Sequence, residues 1–358
     1  MAVVFVEGFD TYNGVGASTS TSVGMAVRWQ VVQAGGALPA PSLITGRFGG
    51  QAFYIQDGGA WGNLPASYTS GCFGAAINFT QLPGTGSVGT IVAFTNGGGG
   101  TYSGNTDTQF SVVGQPDGSI AVKRYSTVLG QSVAGLLIAN TWAYIEIEFV
   151  ISATVGQVRV YLNNNSTPVI NLSGVNNKNQ AGYAGVSQLA LMEPGLVYYG
   201  NLAVDDMYVT DSPNRLGEQR VVTSYPNSDV LTTYWSSSST GAAPYTMIDE
   251  TTCDGDTTYV SSNTVNSRIV TGVSSLPVPP VDVNAVQITG FARKDETQLR
   301  QLALEYQNTA GTVATGPTYT LGTDYKYTNA LWTQNPLTGS AWTDTDVNNM
   351  RIGARVVT

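Results

Sequence analysis

Two glutamates, Glu146 and Glu148, have the spacing in this chain that most directly suggests chemistry. They lie two positions apart in the alternating run 142–151, so they share one face of a predicted strand, about 6.5–7 Å apart. That separation is near the lower limit for the carboxylate pair of an inverting glycoside hydrolase. The other interpretation, which we favour, is that both lie on a solvated face opposite Arg159 and Tyr161 of the next strand, in ordinary cross-strand pairs.

The residue types that most enzymes use for proton transfer or nucleophilic attack are scarce. The chain has no histidine, which excludes Ser-His-Asp catalysis, Cys-His catalysis and histidine-ligated metal sites. Cys72 and Cys253 are far apart and have neither the spacing of a metal site nor that of a disulfide framework. No glycine-rich loop followed by Lys-Ser or Lys-Thr is present to hold a phosphate. We therefore predict no catalytic residue and no enzyme activity.

One acidic segment could bind a cation. Four carboxylates fall within eight residues around a flexible glycine: Asp249, Glu250, Asp254 and Asp256. Hard oxygen ligands of this kind are what Ca²⁺ prefers, although the spacing is not that of an EF-hand loop. An exposed acidic turn before a strand would have the same composition. Ca²⁺ is thus the cofactor that the sequence admits, and no other is expected.

A glycine-rich loop carries the side chains that could hold a sugar. Tyr54, Asp57, Trp61 and Asn63 surround the segment 57–62, where an aromatic plate would lie beside amide and carboxylate groups. This is the combination expected of a glycan-binding loop on a β-sandwich. The alternative is that Trp61 folds back to cover the end of the sandwich.

The composition of the chain limits the classes of partner that it is expected to bind. Charged residues are 11% of the 358, the net charge is −9 and the pI is about 4.4. Lys and Arg are scattered along the sequence, so nucleic-acid binding is not expected. The first seven residues lack a basic region, and no segment approaches the roughly 20 apolar residues that a membrane span needs. We expect neither a signal peptide nor membrane association.

Short strands must position these residues. Runs of four to eight β-forming residues recur between Gly, Asn, Asp and Pro clusters, which is typical of a sandwich or jelly roll. Asp117 and Gly118 between two alternating runs predict a hairpin. The segment 295–306 has helical and alternating features, and we favour a strand. The predicted organisation is a β-sandwich over 1–212, a linker at 213–218 and a smaller β-domain over 219–358.

Several short segments carry a resemblance. In sequence order they are 6–10 (VEGFD), 46–50 (GRFGG), 141–148 (TWAYIEIE), 157–163 (QVRVYLN) and 201–209 (NLAVDDMYV). Together they resemble the concanavalin A-like, laminin-G-like sandwich modules of tailed-bacteriophage virion proteins. The part after residue 216 looks like the smaller β-domain that follows such modules. The resemblance implies an all-β fold, with an N-terminal concanavalin A-like jelly roll and a C-terminal β-sandwich.

The resemblance also implies a role. It points to a non-enzymatic virion subunit made in the host cytoplasm, as head decoration or head fibre first and as tail or baseplate fibre second. The implied partners are other virion proteins, host-surface glycans and further copies of the chain, with a trimer expected by analogy with fibres. The alternatives are a dedicated carbohydrate-binding adhesion module and, more distantly, a glycoside hydrolase using Glu146 and Glu148. Related glucanases carry three acidic residues on one strand face, and here Tyr144 precedes only two.

Overall fold

The chain forms two compact units in a computed structural model. The residues that the structure describes are 1–14, 25, 28–32, 41–56, 58–96, 107–179, 182–191, 201–277, 280 and 282–358. The first unit comprises Met1–Phe9 and Trp29–Val221, and the second comprises Asp10–Arg28 and Val222–Thr358. No helix in the described ranges is long and apolar enough to cross a membrane.

The first unit is built from antiparallel strands that are divided between two sheets. In chain order they are β1 (Val3–Glu7), β2 (Gln30–Val32), β3 (Ser42–Thr45), β4 (Gln51–Ile55), β5 (Gly59–Tyr68), β6 (Ser70–Phe79), β7 (Gly89–Thr95), β8 (Thr108–Gly114), β9 (Ile120–Arg124), β10 (Thr127–Gln131), β11 (Ala143–Val150), β12 (Gly156–Leu162), β13 (Ile170–Val175), β14 (Val186–Leu191) and β15 (Leu202–Thr210). The predicted hairpin at Asp117 and Gly118 is confirmed: it joins β8 to β9, and Gly118 has φ +75°.

Two sheets make up the sandwich. One has the order β13-β12-β11-β6-β15-β4-β3, with β1 also paired to β15, and the other has the order β10-β9-β8-β7-β14-β5-β2. Aromatic rings fill the space between them. Phe149 of the first sheet lies 5.0 Å from Phe94 of the second, and Phe94 stacks on Phe110 at 4.4 Å. The predicted jelly-roll sandwich is confirmed.

The second unit is smaller and also β. Its elements are β16 (Pro226–Leu231), β17 (Ser236–Ser237), a 3₁₀ helix (Pro244–Met247), β18 (Val260–Ser261), β19 (Arg268–Val273), β20 (Val286–Ala292), β21 (Gln301–Gln307), β22 (Val313–Thr320), β23 (Lys326–Trp332), α1 (Asp344–Asn348) and β24 (Arg351–Val356). A five-stranded sheet, β16-β19-β24-β21-β22, accompanies the pairs β20-β23 and β17-β18. The preference for a strand within 295–306 is confirmed by β21.

The core of the second unit lies between the five-stranded sheet and the β20-β23 pair. Leu302, Leu304 and Tyr306 project from β21 toward Ile288 and Ala330. The Tyr306 ring meets Trp342 edge to face, with ring centroids 5.1 Å apart. Because strand side chains alternate, the residues of β21 between these positions face the opposite side of the sheet.

Residues 213–221, which we term the clasp, lie against the outer face of the first unit. Leu216 packs on a small cluster formed by Cys72, Ala76, Tyr144 and Tyr208. The backbone N–H of Val221 donates to Asp206 Oδ1 at 2.8 Å. The segment predicted as a linker, 213–218, thus has its own contacts with this sheet, and the first unit continues to Val221.

Candidate functional site

Glu146 projects from the outer face of β11 and is buried there. Only 1% of the residue is exposed, so the expectation that it lies on a solvated face is wrong. The reason is the clasp: the backbone N–H of Gly217 donates to Glu146 Oε1 at 2.8 Å, and Arg215 Nη1 donates to Oε2 at 3.3 Å. A carboxylate buried in this way needs several donors, and the clasp supplies two of them.

Tyr208 supplies a further donor to Glu146 from another strand. Its hydroxyl donates to Glu146 Oε1 at 2.6 Å and accepts the N–H of Leu216 at 3.0 Å. Tyr208 lies on β15 and Glu146 on β11, with β6 between them, and both residues pair with Gly74 of β6. A Cβ atom on Gly74 would lie 2.1 Å from Tyr208 Cε1. The Tyr208 ring can therefore cross β6 only because residue 74 has no side chain.

Glu148 has a separate set of partners. It pairs with Arg159 across β11 and β12, and its Oε2 accepts from Arg159 Nη1 at 3.5 Å and from the Tyr161 hydroxyl at 3.3 Å. The predicted cross-strand partners are confirmed. The residue is 9% exposed, which contradicts the expectation of a solvated carboxylate. Gln157 and Pro213 border the surface beside it, where the depression is too shallow to hold a ligand.

Burial sets the protonation behaviour of this face. Removal from water raises the pKa of Glu146, although Tyr208, Arg215 and Gly217 partly oppose the shift by stabilising the anion. Burial also raises the pKa of the Tyr208 hydroxyl and of the neighbouring Cys72 thiol. A glutamate with a raised pKa can act as a general acid. Here both of its oxygens are already held by the chain itself.

The sugar-binding residues predicted around 57–62 lie in different elements. Trp61 is inside β5, is 6% exposed and packs on Ala93 and Ala190, so its interpretation as an open aromatic plate is wrong. Asn63 is exposed on the same strand and accepts from Gln188 Nε2 at 2.7 Å. Tyr54 belongs to β4 of the other sheet, where its hydroxyl meets Thr80 Oγ1 at 2.9 Å. Asp57 lies outside the described residues.

Three of the four carboxylates predicted to bind Ca²⁺ engage side chains of the chain itself, and Glu250 and Asp254 share one partner. Asp256 Oδ1 accepts from Arg293 Nη2 at 2.9 Å and from the Tyr325 hydroxyl at 2.8 Å. Thr258 Oγ1 donates to Glu250 and to Asp254. Within the described ranges, no group of three or more His, Cys, Asp or Glu side chains is placed to hold a metal ion.

Sequence reasoning missed Tyr208, Arg215 and Gly74. A glycine inside a strand is a signal of close approach, and Gly74 provides that signal. Arg215 could not be found in this way because it lies in a segment interpreted as a linker. Its guanidinium carbon also lies 4.1 Å from the centre of the Tyr161 ring, which connects the surroundings of the two glutamates.

Comparison with known proteins found similar solved structures and no related sequence family. No protein-family model matches the chain, and no curated protein gives a significant match. The catalytic domain of the glycoside hydrolase family 131 protein from Coprinopsis cinerea is 11% identical, with a TM-score of 0.41, over 61% of this chain and 98% of that one. The exoplasmic/lumenal domain of VIP36, in its Ca²⁺/Man-bound form, is 12% identical, with a TM-score of 0.33, over 61% and 100%.

A third similar structure is much longer than the matched region. Trypanosoma rangeli sialidase in complex with 2,3-difluoro-KDN is 13% identical, with a TM-score of 0.35, over 49% of this chain. The chain spans only 28% of that sialidase. At such identities and scores, these similarities carry no argument about the fold or the activity of this chain.

Proposed function

We propose that the protein is a non-enzymatic structural subunit of a tailed-bacteriophage virion that contacts host-surface glycans. Head decoration or head fibre is the first assignment, and a tail or baseplate fibre is the second. The virion assignment is supported by the resemblance of the segments within 6–209. The structural assignment is supported by one observation above all: the Glu146 carboxylate is 1% exposed and is held by Tyr208, Arg215 and Gly217.

This observation argues against catalysis for a geometric reason. A general acid or base must come within hydrogen-bond distance of the group that it protonates or deprotonates. Glu146 already accepts three hydrogen bonds from the chain, and the clasp covers it. Glu148 is held by Arg159 and Tyr161 in the same manner. In this arrangement Glu146 fastens residues 213–221 to the sheet, and Glu148 links β11 to β12.

The second candidate is a glycoside hydrolase, and one specific observation favours it. The raised pKa of Glu146 is the property expected of the acid in a carboxylate pair. For hydrolysis, the clasp would have to leave the sheet and expose Glu146. That movement would break the contacts of Arg215 and Gly217 with a buried carboxylate, which makes it unfavourable.

The proposed function is tested on purified phage particles. An antibody to this chain, used in negative-stain microscopy, should label a repeated position on the head or the tail. Mass spectrometry of the same particles should recover the chain at a fixed ratio to the major capsid protein. Absence of the chain from particles purified to constant composition would contradict the proposal.

Self-association belongs to the same proposal. The low charge and the 19 tyrosines suit contact between copies, because tyrosine provides a large rigid contact area at low entropic cost. A homo-oligomer, with a trimer as the expected form, should appear in sedimentation at tens of micromolar concentration. A monomer that stays monomeric when capsid or tail proteins are added would contradict this part.

A further inference from the structure

The five-stranded sheet of the second unit has an arginine-bearing face on the side opposite its core. Ile352 and Ala354 of β24 pack into the core, so Arg351 and Arg355 project from the other side. Arg268 of β19 pairs directly with Arg355 and projects to the same side. We term Arg268, Arg351 and Arg355, together with Glu305 between them, the arginine face.

Glu305 neutralises only part of this positive charge. Its carboxylate side chain is 2% exposed and lies 3.0 Å from Arg268 Nε and 3.0 Å from Arg355 Nε. On β19, β21, β22 and β24 it is the one acidic residue, against three arginines. Two like charges directly opposite each other in a sheet are unfavourable. One carboxylate between them leaves the pair with a net charge of one.

Arg351 adds a second uncompensated charge. Within the described part of the chain it forms no ion pair with a carboxylate. It lies four residues from Arg355 on the same strand, about 13 Å away by strand geometry. The side chain of Arg268 is 40% exposed and that of Arg355 is 24% exposed. The face thus presents positive charge to solvent along β24, on a chain whose net charge is −9.

Neutral hydrogen-bonding groups continue this face toward the edge strand. Thr315, Thr318 and Thr320 of β22 pair with Glu305, Ala303 and Gln301, so they project to the same side, and all three are exposed. Hydroxyl and amide groups beside arginines match a ligand that carries both hydroxyls and carboxylates. No aromatic residue projects from β24 or β21 on this side to stack on a nucleic-acid base.

We propose that the arginine face binds a carboxylate-bearing polysaccharide. The guanidinium groups of Arg351 and Arg268 would donate hydrogen bonds to carboxylates of the polysaccharide, and the threonines would form hydrogen bonds with the sugar hydroxyls between those carboxylates. This inference rests on the proposed function, because it names the class of glycan that the subunit contacts. The sequence could not indicate it, since residues 268, 351 and 355 are brought together only by the pairing of β19 with β24.

Binding of the full chain to polygalacturonate tests the proposal, with fully methyl-esterified polygalacturonate as the matched neutral ligand. The wild type should bind the acid form, should bind more weakly as salt is added, and should not bind the ester. Arg351→Gln should weaken binding at least about tenfold, since it removes a charged hydrogen-bond donor. The affinity of Arg351→Lys should lie between those of the wild type and Arg351→Gln, because lysine keeps the charge and lacks the planar, two-pronged donor group of arginine. Lys326→Gln, which removes a charge from β23, should change nothing.

The other outcomes distinguish a failure of this inference from a failure of the proposed function. Equal binding of the acid and the ester, or unchanged binding by Arg351→Gln with an unaltered circular dichroism spectrum, would overturn it. Loss of self-association in Arg351→Gln, without any polygalacturonate binding by the wild type, would assign the face to a second copy instead. Polygalacturonate binding by a chain that is absent from virions would overturn the proposed function alone. A chain that is present on virions and does not bind polygalacturonate would overturn this inference alone.

Discussion

Tyr208 reaches Glu146 across a strand that lies between them, and their side chains meet at 2.6 Å. The strand is crossed at Gly74, which pairs with both residues. The same hydroxyl accepts the N–H of Leu216, so one tyrosine ties the buried carboxylate to the clasp. This relationship explains why an acidic residue can be buried on the outer face of a sheet.

A side chain at position 74 should disrupt this arrangement. Gly74→Ala would place a Cβ atom 2.1 Å from the Tyr208 ring, so we expect a loss of about 1–3 kcal/mol in the free energy of unfolding, measured by urea denaturation. Gly84→Ala is the matched control, because a Cβ there meets nothing within 4 Å. In a Tyr208→Ala background, Gly74→Ala should cost clearly less. A harmless Gly74→Ala variant would contradict the packing described.

Arg215 should contribute more to stability than a surface arginine. Arg215→Gln leaves the buried Glu146 without its cation and removes the contact with Tyr161, so a loss of about 3 kcal/mol is expected. Arg293→Gln breaks an ion pair with Asp256, whose side chain is 63% exposed, and should cost less than about 1 kcal/mol. Equal costs in thermal or urea unfolding would show that Glu146 is not buried in solution.

The raised pKa of Glu146 predicts a pH dependence with a definite sign. The folded state holds the proton more tightly than the unfolded state, whose glutamate titrates near 4.5. Stability from this group is therefore complete below that pH and is lost as pH rises through the folded-state value. Glu146→Gln has no titrating carboxyl at this position, so the unfolding free energy of the wild type minus that of the variant should fall as pH rises above about 4.5. A difference that rises with pH would contradict the account.

The fold was predictable from sequence because alternation and turn residues are local signals. The run 142–151 gave β11 with Ile145, Ile147 and Phe149 facing the core. The burial of Glu146 was not predictable, because alternation assigns a residue to a face and does not indicate what covers that face. The prediction for Trp61 was wrong for a related reason. The glycines around it suggested a loop, but the segment pairs with β14 and is part of β5.

The clasp also predicts how the first unit responds to truncation. A fragment ending at residue 221 keeps Arg215, Leu216 and Gly217. A fragment ending at residue 212 loses these three residues, and with them the hydrogen bonds that they donate to Glu146 and Tyr208. The longer fragment should be the more stable to urea by about 2 kcal/mol or more, since the shorter one leaves buried polar groups unsatisfied. Limited proteolysis of the full chain should spare 213–218. Fragments of equal stability would restore the interpretation of 213–218 as a plain linker.

The most direct test of the central claim, that Glu146 fastens the clasp and that neither Glu146 nor Glu148 is catalytic, is a reducing-sugar release assay. Wild-type protein and the Glu146→Gln/Glu148→Gln double variant are incubated with host capsule and with laminarin-type glucans. The account predicts no release by either protein above a heat-treated control. Oligosaccharide release by the wild type that disappears in a folded double variant would contradict it and would identify the outer face of the first unit as an active site.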